Sequence, residues 1–192
     1  HFGLNEDDEI FQGYETNKET YMHSASGGLL SALVLHLFST KEIDAVIHAA
    51  PQYTEGKSDF YTARLSRNAE EYNQGRSSFY YPVHFDEIIR IALNENISSI
   101  LVLGTPCVIS GLRRFSQENI RLQEKLKYCF ALVCSHNTNA LFSRRIFKYL
   151  KPDAPSKLIF RDKQNITQPV DFKNSITSET GKRKALSRFK TP

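Results

Sequence analysis

Hydrophobic residues recur along the chain in blocks of the length of helices and strands. Apolar residues at 29, 30, 33, 34, 37 and 38 follow one face of a helix, and residues 85–94 show a similar period. The continuous apolar run at 100–103 is typical of a strand that is covered on both faces, and the largely apolar stretches at 45–50 and 128–133 are also predicted to be buried strands. Because strands and helices alternate, the sequence predicts an α/β fold with a mainly parallel or mixed sheet flanked by helices.

Weaker patterns predict the remaining elements. Residues 11–16 and 61–67 are predicted to be short strands, and the second of these could run antiparallel to its neighbour. A turn is predicted at 75–78, and helices are predicted at 108–115 and 141–150.

The pattern changes after Pro155. Residues 157–160 predict a strand, whereas 162–192 are polar and lack a helical period, which favours a hairpin or an incomplete subdomain. We therefore predict an α/β core over 1–156, followed over 157–192 by an incomplete β-rich or irregular segment with a basic tail. The basic residues of that tail are Lys182, Arg183, Lys184, Arg188 and Lys190.

Composition narrows the class of protein. With 192 residues, 40% hydrophobic and 24% charged, the chain is long and apolar enough to bury a core without disulfides. The net charge of +4 comes with no recognised nucleic-acid-binding motif, and no apolar run reaches the ~20 residues that span a bilayer. Three cysteines without close pairing favour a reducing compartment, by default the cytoplasm. A start at His1 indicates a missing natural start or a tag remnant.

Three segments fall where α/β sheets bind ligands, at the ends of strands and the starts of helices. The first contains Ser24, Ser26, Gly27 and Gly28, before the first long helix. Its glycines would let backbone amides approach an anionic ligand closely. The alternative is a plain turn in which Ser24 or Ser26 caps the helix.

The second segment is Gly104, Thr105, Pro106 and Cys107, directly after the clearest strand. Proline fits the first position of a helix, where no amide donor is needed. Cys107 would then lie in the first helical turn, where the helix dipole makes a thiol more reactive. A buried cysteine with a packing role is the alternative.

The third segment follows the next strand and contains Cys134, Ser135, His136 and Asn137. His136 could hydrogen-bond a cofactor ring or relay a proton, although a loop histidine is often only a surface residue. Cys107 and His136 together raise the alternative of a thiol nucleophile. Cys129 is predicted to be in the core. No spacing fits a zinc site, and an iron–sulfur cluster needs about four cysteines.

Together these segments resemble the beta-subunit family of coenzyme F420 hydrogenases and dehydrogenases. Residues 24–33 resemble the family's serine–glycine–glycine helix start, and 77–82 resemble its Gly-Ser-Lys-Tyr turn. Residues 104–107 with 111–113 resemble its Gly-Thr-Pro-Cys-Gln motif and the Leu-Arg that ends the following helix. Residues 131–135 resemble the strand that ends in cysteine. The match spans roughly Phe11 to Arg161.

The resemblance implies FAD as cofactor and electron transfer as function. Family members bind FAD and move electrons between it, iron–sulfur clusters and an acceptor such as the deazaflavin F420; bacterial relatives often accompany polysaccharide biosynthesis. Cys107 and His136 are the predicted catalytic residues. The predicted cofactor-binding residues are Ser24, Ser26, Gly27, Gly28, Ser78, Tyr80, Gly104, Thr105, Pro106, Cys134 and Asn137.

The same resemblance implies partners for this chain. Where the chain differs from the family motifs, other functions are alternatives. Family members commonly carry cysteine clusters beside this core, so we expect a redox partner or domain with iron–sulfur clusters and a small-molecule or deazaflavin acceptor. Neither nucleic acid nor a membrane span is expected. Ser77, Phe79 and Val108 replace family residues, which favours as an alternative a cofactor-free interaction module. Another alternative is a transferase or hydrolase that uses Cys107.

Overall fold

The computed structural model describes residues 9, 11–22, 24, 26–76, 78–134, 137–164 and 171–187. The helices are α1 (Lys18–Met22), α2 (Leu29–Ser39), α3 (Ala69–Gly75), α4 (Asp86–Asn94), α5 (Pro106–Glu118), α6 (Ile120–Lys125) and α7 (Ala140–Leu150). The strands are β1 (Ala45–Pro51), β2 (Tyr61–Ser66), β3 (Ile100–Gly104), β4 (Leu126–Ala131), β5 (Ser156–Asp162), β6 (Lys173–Ser178) and β7 (Arg183–Ser187). Within these residues, no helix is long and apolar enough to cross a membrane.

Sheet A is a mixed sheet with the strand order β2-β1-β3-β4. β1, β3 and β4 run parallel, whereas β2 pairs antiparallel with β1 along Val46–Pro51. The first six residues of β1 are all buried because both faces of the sheet are covered. Val46 packs with Val34 of α2 and Tyr72 of α3 on one face. Ile47 points to the opposite face, which is covered by α4, α5 and α6.

Sheet B is antiparallel, with the order β5-β6-β7, and α7 packs against it. An aromatic cluster joins the two sheets: Tyr61 of β2 stacks on Phe160 of β5, with ring centroids 6.0 Å apart. The Tyr61 hydroxyl donates to the Leu158 carbonyl at 2.7 Å. Isolated β-bridges from Thr54 to Ser156 and from Ser78 to Phe160 lie at the same junction.

The α/β fold with a mixed sheet between helices is confirmed, and a β-rich C-terminal segment is present as predicted. The strand predicted at 11–16 is wrong, because residues 11–17 form no regular element. The turn predicted at 75–78 is also wrong at its start, since Gly75 ends α3. The predicted division of the chain at residue 156 stays a prediction.

Asparagine caps explain two of the helices that the hydrophobic pattern did not reveal. The Asn68 side chain accepts a hydrogen bond from the Glu71 amide at the start of α3, and Asn119 does the same for Leu122 at the start of α6. Both helices are short, so few apolar positions repeat within them. The capping residues were the available sequence signal.

Two strand-level expectations also change. β4 covers Leu126–Ala131 and is an edge strand whose residues are half-buried or exposed, instead of a buried strand over 128–133. The basic residues at 182–184 belong to the β6–β7 hairpin, not to a free tail. Lys182 and Lys184 pair with Asp153, with Nζ–O distances of 2.6 and 3.0 Å.

We predict that Tyr61→Phe destabilises the protein by about 1–2 kcal/mol, because the buried Leu158 carbonyl loses its hydroxyl donor. Urea unfolding measures the change. Tyr53→Phe is the matched control, since Tyr53 is 41% exposed and the same change there should cost below ~0.5 kcal/mol. Equal losses for the two variants would contradict the role assigned to Tyr61.

We predict a pH-dependent contribution from His48, a buried residue of β1. Burial lowers its pKa from 6.5 to about 4, and the neutral ring contacts Ser66 Oγ through Nε2 at 2.9 Å. The unfolded chain binds a proton below about pH 6.5 while the folded one does not, so stability falls between pH 6.5 and about 4, by on the order of 3 kcal/mol. In urea unfolding, the free energy of unfolding of His48→Gln should depend less on pH over this range. Parallel profiles for the two proteins would refute it.

Candidate functional site

The described residues of the three predicted segments lie toward the same end of sheet A, where its parallel strands finish. The carboxyl ends of the parallel strands β1, β3 and β4 lie there by geometry. α5 begins at Pro106, two residues after β3 ends, so its start lies at the same edge. Only five residues separate the end of α2 from β1, so α2 runs back along the sheet and its start also lies at this edge.

The first segment is shaped by contacts with the chain before it. Gly28 is the N-cap of α2 with φ of 82°, so the predicted serine cap is wrong. The hydroxyl of Ser24 donates instead to the Thr20 carbonyl at 2.6 Å. A Cβ on Gly28 would stand 2.9 Å from Cβ of Glu15, and the Glu15 amide donates to the Gly27 carbonyl at 2.7 Å. Gly27 and Gly28 therefore leave room for residues 13–15 of the same chain.

The second segment forms the predicted turn into a helix. Thr105 is the N-cap of α5 and Pro106 is its first residue, where a missing amide costs no hydrogen bond. Cys107 is exposed, and its Sγ lies 3.1 Å from Thr105 Oγ1. A Cβ on Gly104 would stand 3.0 Å from Val108 Cγ1, so glycine is required where Val108 packs.

The third segment is described only in part. Cys134 and Asn137 are exposed, and Asn137 Oδ1 accepts the Thr138 amide at 2.9 Å. The Thr138 hydroxyl donates to the Tyr80 carbonyl at 2.5 Å, which ties this loop to the segment after α3. His136 lies outside the described residues, so its predicted pairing with Cys107 stays a prediction.

A cavity of about 340 Å³ lies between the two sheets, beside the end of β1. Ser24 and Ser78, two of the predicted cofactor-binding residues, line it. Gly27 lines a second, more open cavity next to Tyr14 and Tyr21. The other predicted residues that are described line neither of these cavities; they are Ser26, Gly28, Tyr80, Gly104, Thr105, Pro106, Cys107, Cys134 and Asn137.

The lining of the first cavity is strongly positive, and we refer to it as the cationic cavity. Its described charged residues are the four cations Arg76, Lys157, Arg161 and Lys163 and the single acid Asp162. The Asp162 carboxylate is already compensated, because it lies 2.7 Å from a guanidinium nitrogen of Arg183 and accepts the Ser175 hydroxyl at 2.5 Å. Among the residues that line the cavity, cations therefore outnumber acids.

Burial makes these cations unusual. The pKa of Arg76 and that of Lys163 are lowered chiefly by desolvation. Nε and Nη1 of Arg76 and Nε of Arg161 are buried without a hydrogen-bond partner among the described residues. Lys163 is 4% exposed, and its ammonium donates to the carbonyls of Ser26 and Tyr21 at 2.5 and 3.3 Å. Buried donors of this kind favour a negatively charged ligand.

Sequence reasoning missed these cations. A signal existed: Arg161, Asp162 and Lys163 directly follow a predicted strand, the position at which sheets present side chains to ligands. The sequence predicts that they belong to the incomplete segment over 157–192, and no sequence pattern places them next to Arg76. Only the pairing of sheet B with the loops of sheet A brings the two together.

Metal ligation finds no support within the described part of the chain. There, no group of three or more His, Cys, Asp or Glu side chains is arranged to hold a metal ion. Cys107 and Cys129 are free thiols. Cys129, which is predicted to be in the core, is half-buried against the core between sheet A and the helices α4, α5 and α6. Burial raises the pKa of its thiol.

The chain thus has an α/β fold with a cationic cavity beside the carboxyl end of β1 in its mixed sheet. Sequence comparison identifies the family. The models for the N-terminal and C-terminal parts of the coenzyme F420 hydrogenase/dehydrogenase beta subunit match residues 10–90 and 97–184. The chain belongs to this family.

Among solved structures, a chain of the xenon-derivatised F420-reducing [NiFe] hydrogenase complex from Methanosarcina barkeri is similar, with a TM-score of 0.63 and 18% identity. The match covers 93% of this chain and 60% of that one, so the likeness concerns the fold over part of the larger chain. No curated protein sequence matches.

We predict that a thiol-alkylating reagent labels Cys107 and Cys134 before Cys129. The first two side chains are exposed, whereas burial both shields Cys129 and raises its pKa, which lowers its thiolate fraction. Mass spectrometry of peptides over time measures the three rates, and Cys107→Ser checks the assignment. Labelling of Cys129 as fast as that of Cys107 would contradict the exposures described above.

Proposed function

We propose that the chain is the flavin-binding core of an electron-transfer oxidoreductase, with FAD as its cofactor. The observation that carries the proposal is that Ser24 and Ser78, from two of the family's segments, line a cationic cavity beside the end of β1. Family membership supports a redox role. The donor chemistry of the cavity supports a phosphate-bearing cofactor, because its buried guanidinium nitrogens lack acceptors among the described residues.

In this proposal the chain's residues bind and orient the cofactor. Ser24 and Ser78 contact it from the cavity wall, while Gly104 to Cys107, Tyr80, Cys134 and Asn137 border it along the sheet edge. The flavin, when bound, supplies the capacity to accept and release one or two electrons. Cys107 is a neighbour of the cofactor, and the roles of Cys107 and His136 in catalysis stay predictions.

The wider context of the activity is also part of the proposal. Electrons would come from iron–sulfur clusters on a partner protein or domain and pass to a small-molecule or deazaflavin acceptor. The similar M. barkeri chain belongs to a hydrogenase complex, which is compatible with such partners. A cytoplasmic location and a link to polysaccharide biosynthesis stay predictions.

A cofactor-free interaction module is the second candidate, and one contact favours it. Val108 replaces the glutamine of the family motif. Its side chain packs so closely against Gly104 that a Cβ at position 104 would lie 3.0 Å from Val108 Cγ1. This packing gives the Gly104 turn a structural role without a ligand. A titration with FAD separates the two candidates.

We predict that FAD binds the purified chain at one site per chain and slows the alkylation of Cys107. Binding is measured by the change in flavin fluorescence, and labelling by mass spectrometry with and without FAD. Cys129 is the internal control, because it lies in β4 with its side chain half-buried against the core, and its rate should not change.

Two results would count against the proposal in different ways. A folded chain that binds no FAD favours the interaction module. Binding of FAD without protection of Cys107 would mean that the flavin lies away from the Gly104–Cys107 turn, and the residues assigned to that edge would be wrong.

A further inference from the structure

We propose that the cationic cavity holds the diphosphate group of the cofactor, with Arg76 and Lys163 as its principal partners. The sequence predicts that backbone amides near Gly27 and Gly28 approach an anionic ligand. The structure gives those glycines a different use, since Tyr14 and Glu15 pack against them. The carboxylates of Glu15 and Glu19 also attract the Arg76 guanidinium, but neither residue lines the cavity.

Arg76 lies in the cavity wall because it directly follows the end of α3. Asn68 caps the helix, and α3 ends at Gly75 against β1, where a Cβ would stand 3.0 Å from His48 Cε1 and 3.2 Å from Ala50 Cβ. Glycine thus allows the helix to approach the sheet closely. Arg76 follows with extended backbone and carries its guanidinium into the cavity wall.

Arg161 and Lys163 lie in the cavity wall at the end of β5. The pairing of β5 with β6 shifts register between Ile159 and Asp162, and Arg161 within this irregularity has a φ of 54°. A non-glycine residue in this conformation is strained, and such strain is common at binding sites. Lys163 is then fixed by its bonds to the Ser26 and Tyr21 carbonyls and by the Tyr21 ring, whose centroid lies 4.2 Å from Nζ.

The chemistry of the cavity fits a diphosphate in particular. Guanidinium groups bind phosphate through paired N–H donors, and Arg76 has two buried nitrogens for which the described residues offer no acceptor. Cations from two sides of the cavity, the end of α3 and the end of β5, can engage two linked phosphates. The neutral carbonyls that hold Lys163 do not cancel its charge. At about 340 Å³ the cavity is at the small end for ligand sites, so it suits one charged moiety of a larger cofactor.

The test uses the whole chain, two probes and matched variants. Arg76→Gln removes a cavity cation, and Arg90→Gln removes the same charge from the exposed face of α4. Calorimetry with inorganic pyrophosphate and fluorescence titration with FAD give the two affinities, and thermal unfolding verifies that each variant is folded. We expect pyrophosphate to compete with FAD. We also expect Arg76→Gln to weaken both ligands roughly tenfold or more and Arg90→Gln to change neither.

Lys163→Gln keeps the inference testable should Arg76→Gln unfold, and it is expected to weaken both ligands in the same way. The identity of the ligand rests on the proposed function, and the outcomes separate the two ideas. FAD binding that neither cavity variant weakens would overturn this inference and leave the flavin proposal standing. Pyrophosphate binding that depends on Arg76, without FAD binding, would support the anion site and refute the flavin. Equal losses of affinity in Arg76→Gln and Arg90→Gln would mean that the ligands respond only to the net charge of the protein, and this would overturn the inference.

Discussion

The contacts of Tyr61 with Leu158 and Phe160 of β5 hold the two sheets together, and the cationic cavity depends on them. Tyr61 starts β2 in sheet A, yet its hydroxyl bonds to the Leu158 carbonyl in sheet B and its ring stacks on Phe160. The position of β5 relative to β1 follows from this contact and from the bridge between Thr54 and Ser156. The cationic cavity lies in the space that this junction encloses.

Charge in the molecule is distributed unevenly around this junction. Most of the ion pairs described are exposed and contribute little stability, such as Lys182 with Asp153. In the cavity the one lining acid is compensated, and the cations keep a positive field in a partly desolvated space. Such an arrangement costs folding free energy when no anion is bound, because buried charges lose hydration. Binding of an anion would offset that cost, which links stability to ligand.

The glycines of the family motifs illustrate how one residue type serves different purposes. Gly28 and Gly104 both lie at the sheet edge, and each makes room for the protein's own side chains or backbone. Gly75, which the sequence placed in a turn, lets α3 approach β1 so that Arg76 reaches the cavity. A glycine motif therefore indicates a close approach, and only the structure identifies what approaches.

The sequence alone determined the alternation of strands and helices, the mixed α/β class, the turn into α5 and the family. These features rest on local periodicity, on helix-start chemistry at Pro106 and on the order of short motifs. The tertiary structure decided the rest. Arg76 and Lys163 are distant in sequence and become neighbours of one cavity only because β5 pairs across to the loops of sheet A. Such long-range pairing leaves no local pattern in the chain, since it depends on which buried surfaces fit together.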